Sequence, residues 1–507
     1  MNNSKLVNLT FLEKKVSYLK KQKKSIGLCH GVFDLLHLGH IKHFEEAKKK
    51  VDILIVSVTD DRYVNKGPGR PSFNNLQRSE ALSAINFIDY VVISSFPTAI
   101  KMLATIKPNI FFKGPDYKNI NKDITGQIKK EINVLKKNKG KIYFTTSDKF
   151  SSSVLLKKYF GLLSEKQSKI VSKISKLYSI EKIKSEIDNF KKIRPLVIGE
   201  SIIDQYHYTE TLGKSGKEPV LVIRDKKVER YLGGAGAVCR HLSEFVLRGS
   251  FVSYLGKNKS NNKFILNNLP KKFKINKITR KNVPTILKRR FIDDISKTKI
   301  IGNYEVDDRL LNSKEEVLLK KIFFKSSKLS DLIIISDYGH GLIDENFAKT
   351  ICNQKKFISV NVQINSSNLG YHSLKNYKNV DCIIINESEL RYELRSKIGK
   401  LEELMKKLSS TLNTKYLVVT RGASGSIMYV RKNKKYYYCD GLATKVIDKV
   451  GAGDAMLSII TLCLYNKLDY NLSLLIASLC AAQSVNTIGN KESINKIQLL
   501  KDLEHLI

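Results

Sequence analysis

Two histidines separated by two residues, His37 and His40, lie in the run Gly31-Val32-Phe33-Asp34-Leu35-Leu36-His37-Leu38-Gly39-His40, directly after an apolar segment and at the opening of a helical pattern. A helix N-terminus offers free N–H groups and the positive end of its dipole, so both rings lie within reach of one bound anion. Gly31 and Gly39 let the backbone approach a ligand closely. Nucleotidyl transfer needs no protein nucleophile. It needs an attacking phosphate positioned against an α-phosphate, and stabilisation of charge on the departing pyrophosphate. His37 and His40 suit the second task, although an isolated HxGH also reads as a helix cap. The second constellation is Asp448-Lys449-Val450-Gly451-Ala452-Gly453-Asp454-Ala455, followed by the apolar run MLSIITLCLY. Small residues at a helix start leave N–H groups for phosphoryl oxygens, and an adjacent carboxylate can take a proton from a sugar hydroxyl. Asp454 is the candidate base; alone, it also reads as an N-cap aspartate.

The elements around both motifs follow an α/β pattern. From Ser25 to about Tyr159, SIGLCH, DILIVSVT, DYVVIS, NIFFK and KIYFTT alternate with the helical patterns HIKHFEEAKKK, LQRSEALSAI and TAIKMLATI, which predicts a doubly wound parallel sheet. Between Gly161 and Lys192, Ile180, Ile183, Ile187 and Phe190 recur at helical spacing, which predicts a helical connector docked on one domain. Strand-helix alternation resumes at PLVIGES and runs through DLIIISD, FISVNV, DCIIIN and YLVVTRG. Residues 1–160, 161–192 and 193–507 are the expected domain, connector and second domain. The lysine-rich stretch Lys257 to Lys281 is expected as a surface insertion or loop.

At 507 residues the chain exceeds one core. Neither the N-terminal MNNSKLVNLTFLEKK nor any internal run is apolar enough for a leader or a membrane span, so a cytoplasmic protein with no membrane partner is expected. Seven scattered cysteines without a CxxC pair read as reduced, mostly buried thiols. The net charge of +41 raises a nucleic-acid reading, the basic-binder alternative. Its lysines are dispersed rather than clustered, so no specific nucleic acid is expected, and the excess charge favours anionic substrates.

The strand-to-HxGH segment and its surroundings resemble the cytidylyltransferase-like nucleotidyltransferases. Lys49 stands where that family has a phosphate-binding lysine, and Thr59-Asp60-Asp61, Lys66-Gly67-Pro68-Gly69-Arg70-Pro71, Gln77-Arg78, Lys113-Gly114-Pro115-Asp116-Tyr117 and Ser151-Ser152-Ser153 follow in order. They look most like the adenylyltransferase half of the ADP-heptose synthase family. The resemblance implies His37, His40 and Lys49 as catalytic groups, and Gly31, Phe33, Asp34, Gly39, Arg78, Lys113, Asp116, Ser151, Ser152 and Ser153 as nucleotide-binding. Arg78 and Lys113 also read as surface charges, and the serines as an N-cap. His30 before Gly31, and Val51 before Asp52, depart from the family pattern.

The GAGD motif resembles the signature of the ribokinase-like (PfkB) sugar kinases, and the similarity covers about Arg194 to the C-terminus. Gly199 to Asp204 looks like the first strand with its sugar-binding aspartate, Gly233-Gly234-Ala235-Gly236 like the glycine hinge, and GKSGKEPVL like a small β lid over the substrate. Ser336-Asp337-Tyr338-Gly339 matches a mid-domain strand end. The resemblance implies Asp204, Gly233, Gly234 and Asp337 as sugar-binding. It implies Asn386, Glu389, Thr420, Gly422, Gly425, Gly451, Ala452 and Gly453 as nucleotide-binding, with Glu389 acting indirectly on Mg²⁺. Ala237, His340 and VNVQINSSN depart from the family pattern. Together the halves are similar to bifunctional ADP-heptose synthases in reversed order. ATP with Mg²⁺, and ATP or CTP in the transferase half, are the expected nucleotides. A sugar phosphate is the expected substrate, a nucleotide-activated sugar for lipopolysaccharide or other surface polysaccharide the expected product, and a homodimer the candidate assembly. A kinase-like domain that only binds sugar and regulates the transferase is the alternative.

Overall fold

A computed structural model describes residues 5–64, 70–115, 127–146, 163–364, 368 and 370–507. They group as one unit of residues 1–164 with 500–506 and another of residues 165–499 with 507.

In the first unit the apolar runs become parallel strands β1 (Ile26–Gly31), β2 (Ile53–Thr59), β3 (Tyr90–Ser94), β4 (Ile110–Lys113) and β5 (Lys141–Phe144), in the order β3-β2-β1-β4-β5. Helices α1 (Leu9–Lys21), α2 (Leu38–Lys48), α3 (Asn75–Ser83), α4 (Ala99–Ile106) and α5 (Gln127–Lys137) accompany them. The strand order turns between β1 and β4, and such a switch point opens a crevice beyond the strand ends. The HxGH run leaves β1 there. Leu28 and Phe111 belong to one apolar cluster, Phe44 and Phe112 to another. Helix α1 precedes Ser25, where the strand-helix alternation read from the sequence begins. Its Leu12, Val16 and Leu19, at helical spacing, are buried in the first cluster, each contributing about 1.5–3 kcal/mol.

The second unit opens with α6 (Glu165–Leu177) and α7 (Ile180–Asn189); Ile183, Ile187 and Phe190 are buried, as their spacing requires. Its main sheet runs β10 (Phe273–Thr279), β9 (Gly249–Leu255), β6 (Pro195–Gly199), β13 (Leu332–Asp337), β14 (Phe357–Val362), β15 (Cys382–Asn386), β16 (Tyr416–Thr420), β17 (Ser426–Val430) and β18 (Lys435–Cys439). All are parallel up to β16, and β17 and β18 close the edge antiparallel. Helices α8 (Ala235–Ser243), α9 (Lys259–Asn268), α10 (Ser313–Lys328), α11 (Glu345–Cys352), α12 (Glu387–Glu393), α13 (Leu401–Leu412), α14 (Ala452–Tyr465) and α15 (Tyr470–Ser484) belong to this unit, and the last helix, α16 (Lys496–Leu506), is divided between the two units after Leu499. Residues Ala455 to Leu464 of α14 are all buried, which makes it a core helix rather than an amphipathic one. No helix among the described residues is long and apolar enough to cross a membrane.

A second sheet, in the order β12-β11-β7-β8, is formed by β7 (Ser201–Lys214), β8 (Leu221–Gly234), β11 (Leu287–Asp293) and β12 (Lys299–Glu305). The segment GKSGKEPVL forms the tip of its β7–β8 hairpin. Two expectations are corrected. Gly199 to Asp204 is not one strand: β6 ends at Gly199, the buried Glu200 makes the junction, and Asp204 lies on β7 of the second sheet. Lys257 to Lys281 is not an insertion: it holds α9 and edge strand β10, in which Lys274 is exposed while Phe273 and Ile278 are buried. The seven cysteines are free thiols, six of them buried.

Candidate active sites

The backbone leaves β1 through Phe33, whose φ of +49° is a left-handed conformation rare for a bulky residue. Asp34 holds the turn in place. Its carboxylate accepts the N–H groups of Ser72 and Phe73 and pairs with Arg70 Nε at 2.6 Å. His37 occupies the N-cap of α2 without a side-chain capping bond. Its ring stacks on that of His40 with centroids 3.9 Å apart, and Phe33 meets His40 edge-on at 5.5 Å. Gly31, Phe33, Asp34, Gly39 and the two histidines therefore converge at one helix start.

Other expected members lie elsewhere. Lys49 caps the far end of α2, about 13 Å along the axis from His40 at the usual rise, and pairs with Glu45 at 2.7 Å. The structure does not bring it to the histidines, which corrects its catalytic assignment. Arg78 is buried and donates to the carbonyls of Val32, Thr59 and Phe73 and to Asp61 Oδ1. With its donors committed to backbone, it is a clamp on the strand-end loops rather than a nucleotide ligand or a surface charge. Lys113, half-buried, pairs with the buried Glu131 at 2.9 Å. Asp116, Ser151, Ser152 and Ser153 lie outside the described residues. His30, with Nδ1 3.1 Å from Ser57 Oγ, is pushed down to about 3 by desolvation and by Lys113, so it stays neutral.

In the second unit, Gly451 caps α14 with a φ of +93°, and no side chain caps that helix. A Cβ on Gly451 would fall 2.1 Å from Asn490 Oδ1, so the cradle demands glycine. Space beside Gly453 is open. Asp454 sits in the first turn, buried, and accepts the Tyr338 hydroxyl at 2.8 Å. Burial pushes its carboxyl up to about 7; Tyr338 opposes that rise, Asp204 adds to it and Lys288 opposes it. This value suits a base that must take a proton near neutral pH. Asp204 on β7 pairs with Arg290 of β11 at 2.5 Å. The glycine at 233 makes room for it, since a Cβ there would lie 2.1 Å from Asp204 Oδ2, and Gly234 then caps α8.

The turn that carries Tyr338 is built on a buried acid. Glu200 accepts the N–H groups of Tyr338 and His340 and is itself pushed up to about 7 by burial and by Asp337. Asp337 accepts from Gly339 N–H and the Tyr377 hydroxyl and lies 3.3 Å from His372 Nε2. Its oxygens are occupied within the protein, so it orders the turn instead of binding sugar. His340, one of the departures from the family pattern, pairs through Nδ1 with Asp308. Ala237, another of those departures, is buried in α8. Asn386 and Glu389 form a capping box on α12, each accepting the other's backbone N–H, and burial pushes Glu389 up to about 7. Asn386 lies opposite Thr420 in register, and Arg421 pairs with Glu387, so the Gly422–Gly425 turn sits beside the same strand ends. Among the described residues no three metal-ligating side chains cluster.

Behind the Gly451 cap, Asp448 accepts four donors: Lys299 Nζ at 2.7 Å, the Tyr206 hydroxyl at 2.9 Å, and the N–H groups of Val450 and Gly489. Despite its burial, Lys299 and Tyr206 hold it below the usual carboxylate range. Tyr338, Glu200, Lys288 and Arg290 were not anticipated from sequence as site residues. Tyr338 lay within a quoted motif, whereas a lysine at 288 in so lysine-rich a chain carried no signal.

Residues 193–497 match the pfkB family carbohydrate kinases, and residues 28–157 match the cytidylyltransferase-like family. The bifunctional protein HldE of Campylobacter jejuni subsp. doylei is 38% identical over 121 residues, 23% of this chain and 26% of the relative. That of Aliarcobacter butzleri is 36% identical over 138 residues, 27% of this chain and 29% of the relative. The chain thus spans about a quarter of the length of the curated relatives it matches. Phosphofructokinase-2 of Escherichia coli shares the fold, with a TM-score of 0.50 at 14% identity, over 62% of this chain and 99% of the neighbour.

Proposed function

Since the chain belongs to the pfkB family of carbohydrate kinases and carries a cytidylyltransferase-like domain ahead of the kinase domain, we propose that it phosphorylates a sugar phosphate and then joins a nucleotide to the new phosphate. The observation that carries the first step is Asp454, a buried carboxyl poised near neutrality at an uncapped helix start, with Asp204 at the same site. Asp204 orients acceptor hydroxyls and Asp454 takes the proton of the anomeric one. The N–H groups opening α14 receive phosphoryl oxygens, and the Asn386, Thr420, Gly422 and Gly425 strand ends receive the nucleotide. Mg²⁺ fits as an indirect partner of Glu389: each carboxylate oxygen accepts one backbone N–H and keeps a further lone pair for a metal-bound water. When bound, it would neutralise charge shared by the β- and γ-phosphates.

In the transferase half, His37 and His40 hold the departing pyrophosphate while the kinase product attacks the α-phosphate of ATP or CTP. The product is a nucleotide-activated sugar, ADP-heptose-like, for lipopolysaccharide or another surface polysaccharide. Incubation of the full chain with ATP, CTP, Mg²⁺ and a panel of heptose and hexose phosphates, followed by mass spectrometry, tests the reading. His40→Ala should stop pyrophosphate release and spare sugar phosphorylation; Asp454→Asn should stop phosphorylation, with nucleotide transfer rescued by a supplied sugar 1-phosphate. Loss of both reactions in either folded variant would refute the two-site assignment. Transfer that never needs the kinase product would favour a regulatory role for the kinase-like domain.

A further inference from the structure

Lys288 lies on β11, in register with Asp204 of β7, and Arg290 two residues on shares its face. Arg290 spends its charge on Asp204. Lys288 is different. It is only 5% exposed, and among the described residues no hydrogen bond or ion pair engages its Nζ, which instead lies 5.4 Å from the ring centroids of Tyr304 and Tyr338. A buried ammonium without a hydrogen-bonded partner is costly. Its neighbourhood says what would repay that cost. Tyr338, whose ring it faces, is the residue bonded to Asp454, and Asp454 feels the ammonium's charge. The uncapped N-terminus of α14, with open space beside Gly453, is at the same place.

We propose that Lys288 is a catalytic residue of the kinase site that holds an oxygen of the phosphoryl group in transit from nucleotide to acceptor. In that step the bond between the γ-phosphorus and the β–γ bridging oxygen breaks, its electron pair leaving with ADP. A bond from the acceptor oxygen to phosphorus forms, and the acceptor proton passes to Asp454. Charge on the equatorial oxygens then meets a fixed ammonium in a water-poor site, where such stabilisation is strongest. The groups facing Lys288 agree with this. Burial lowers its pKa, Asp204, Glu200 and Asp308 raise it, and Arg290 lowers it. Tyr304, Tyr338, His340 and Asp454 complete the surroundings. An arriving phosphoryl group adds negative charge and keeps the ammonium protonated.

The inference rests on the kinase reading, and its test separates the two. With the full chain, Mg²⁺, ATP and an accepted sugar phosphate, Lys288→Met should lower kcat by about 10²- to 10³-fold, leave both KM values within about threefold, and be partly rescued by Lys288→Arg. ADP with aluminium fluoride, a mimic of the phosphoryl group in transit, should bind Lys288→Met at least about tenfold more weakly than wild type, while ADP alone binds both equally and certifies the fold. An unchanged kcat overturns the proposal. So does a defect confined to the KM of phosphorylated acceptors and absent with unphosphorylated ones, which would assign Lys288 to the acceptor's own phosphate. A wild-type chain that phosphorylates no acceptor refutes the kinase reading itself and the proposal with it.

Discussion

Replacing Tyr338 by phenylalanine removes one hydroxyl and little volume, and its effect can be worked out from the site. The hydroxyl donates to Asp454 at 2.8 Å and favours the ionised carboxylate, whose pKa burial has pushed up to about 7. A hydrogen bond to a charged group contributes about 1.5–3 kcal/mol, and about 1.4 kcal/mol corresponds to one pKa unit. Without it the Asp454 carboxyl should titrate near pH 8 to 9. Because the base must be ionised to accept a proton, kinase turnover rises with pH through that value, so the acid limb of the kcat profile moves to higher pH. At pH 7 the ionised fraction falls by about five- to fifty-fold, and the rate with it, whereas well above pH 9 the variant should approach wild type. ADP release measured from pH 5.5 to 10 reads this directly. An unmoved limb, or a rate reduced equally at every pH, would refute Asp454 as the titrating base held by Tyr338.

Gly233→Ala should force Asp204 away, since the new Cβ would lie 2.1 Å from its Oδ2; sugar phosphorylation, followed as kcat/KM for the acceptor, should fall about 10²-fold while nucleotide transfer to a supplied sugar 1-phosphate is unchanged. Arg78→Met deprives three carbonyls and Asp61 of their donor and should destabilise the N-terminal unit by about 3 kcal/mol or more in urea denaturation. Unaltered stability with a raised nucleotide KM would instead return Arg78 to nucleotide binding.

The architecture of both units was legible because their strands are short apolar runs at regular spacing, such as DILIVSVT and DLIIISD, and their helices carry clear periodicity. The two helix starts were legible for a related reason: HxGH and GAGD place small residues and chemistry-bearing side chains within a few positions, so local sequence is nearly the whole site. What was missed depends on long-range pairing. Asp204 belongs to a second sheet because the chain turns at Glu200, a residue whose role is set by N–H groups some 140 positions later. Lys49 and Arg78 were misread because a motif's order along the chain does not reveal which end of a helix it reaches, or whether a guanidinium faces solvent or backbone. Lys288 has meaning only through the strand opposite it and the tyrosines around it.

The carboxylate of Asp448 has a mechanical consequence. Two of its donors, Tyr206 and Lys299, come from the small sheet, and the other two from backbone beside the glycine cap of α14. Tilting the sheet away would strip two donors from a buried anion, a cost of several kcal/mol, unless the cap moved with it. The sheet and the glycine cap of α14 are therefore tied through one carboxylate. A substitution that shifts β7 or β12 would be felt at the N-terminus of α14 through this one carboxylate, with no contact between the two needed.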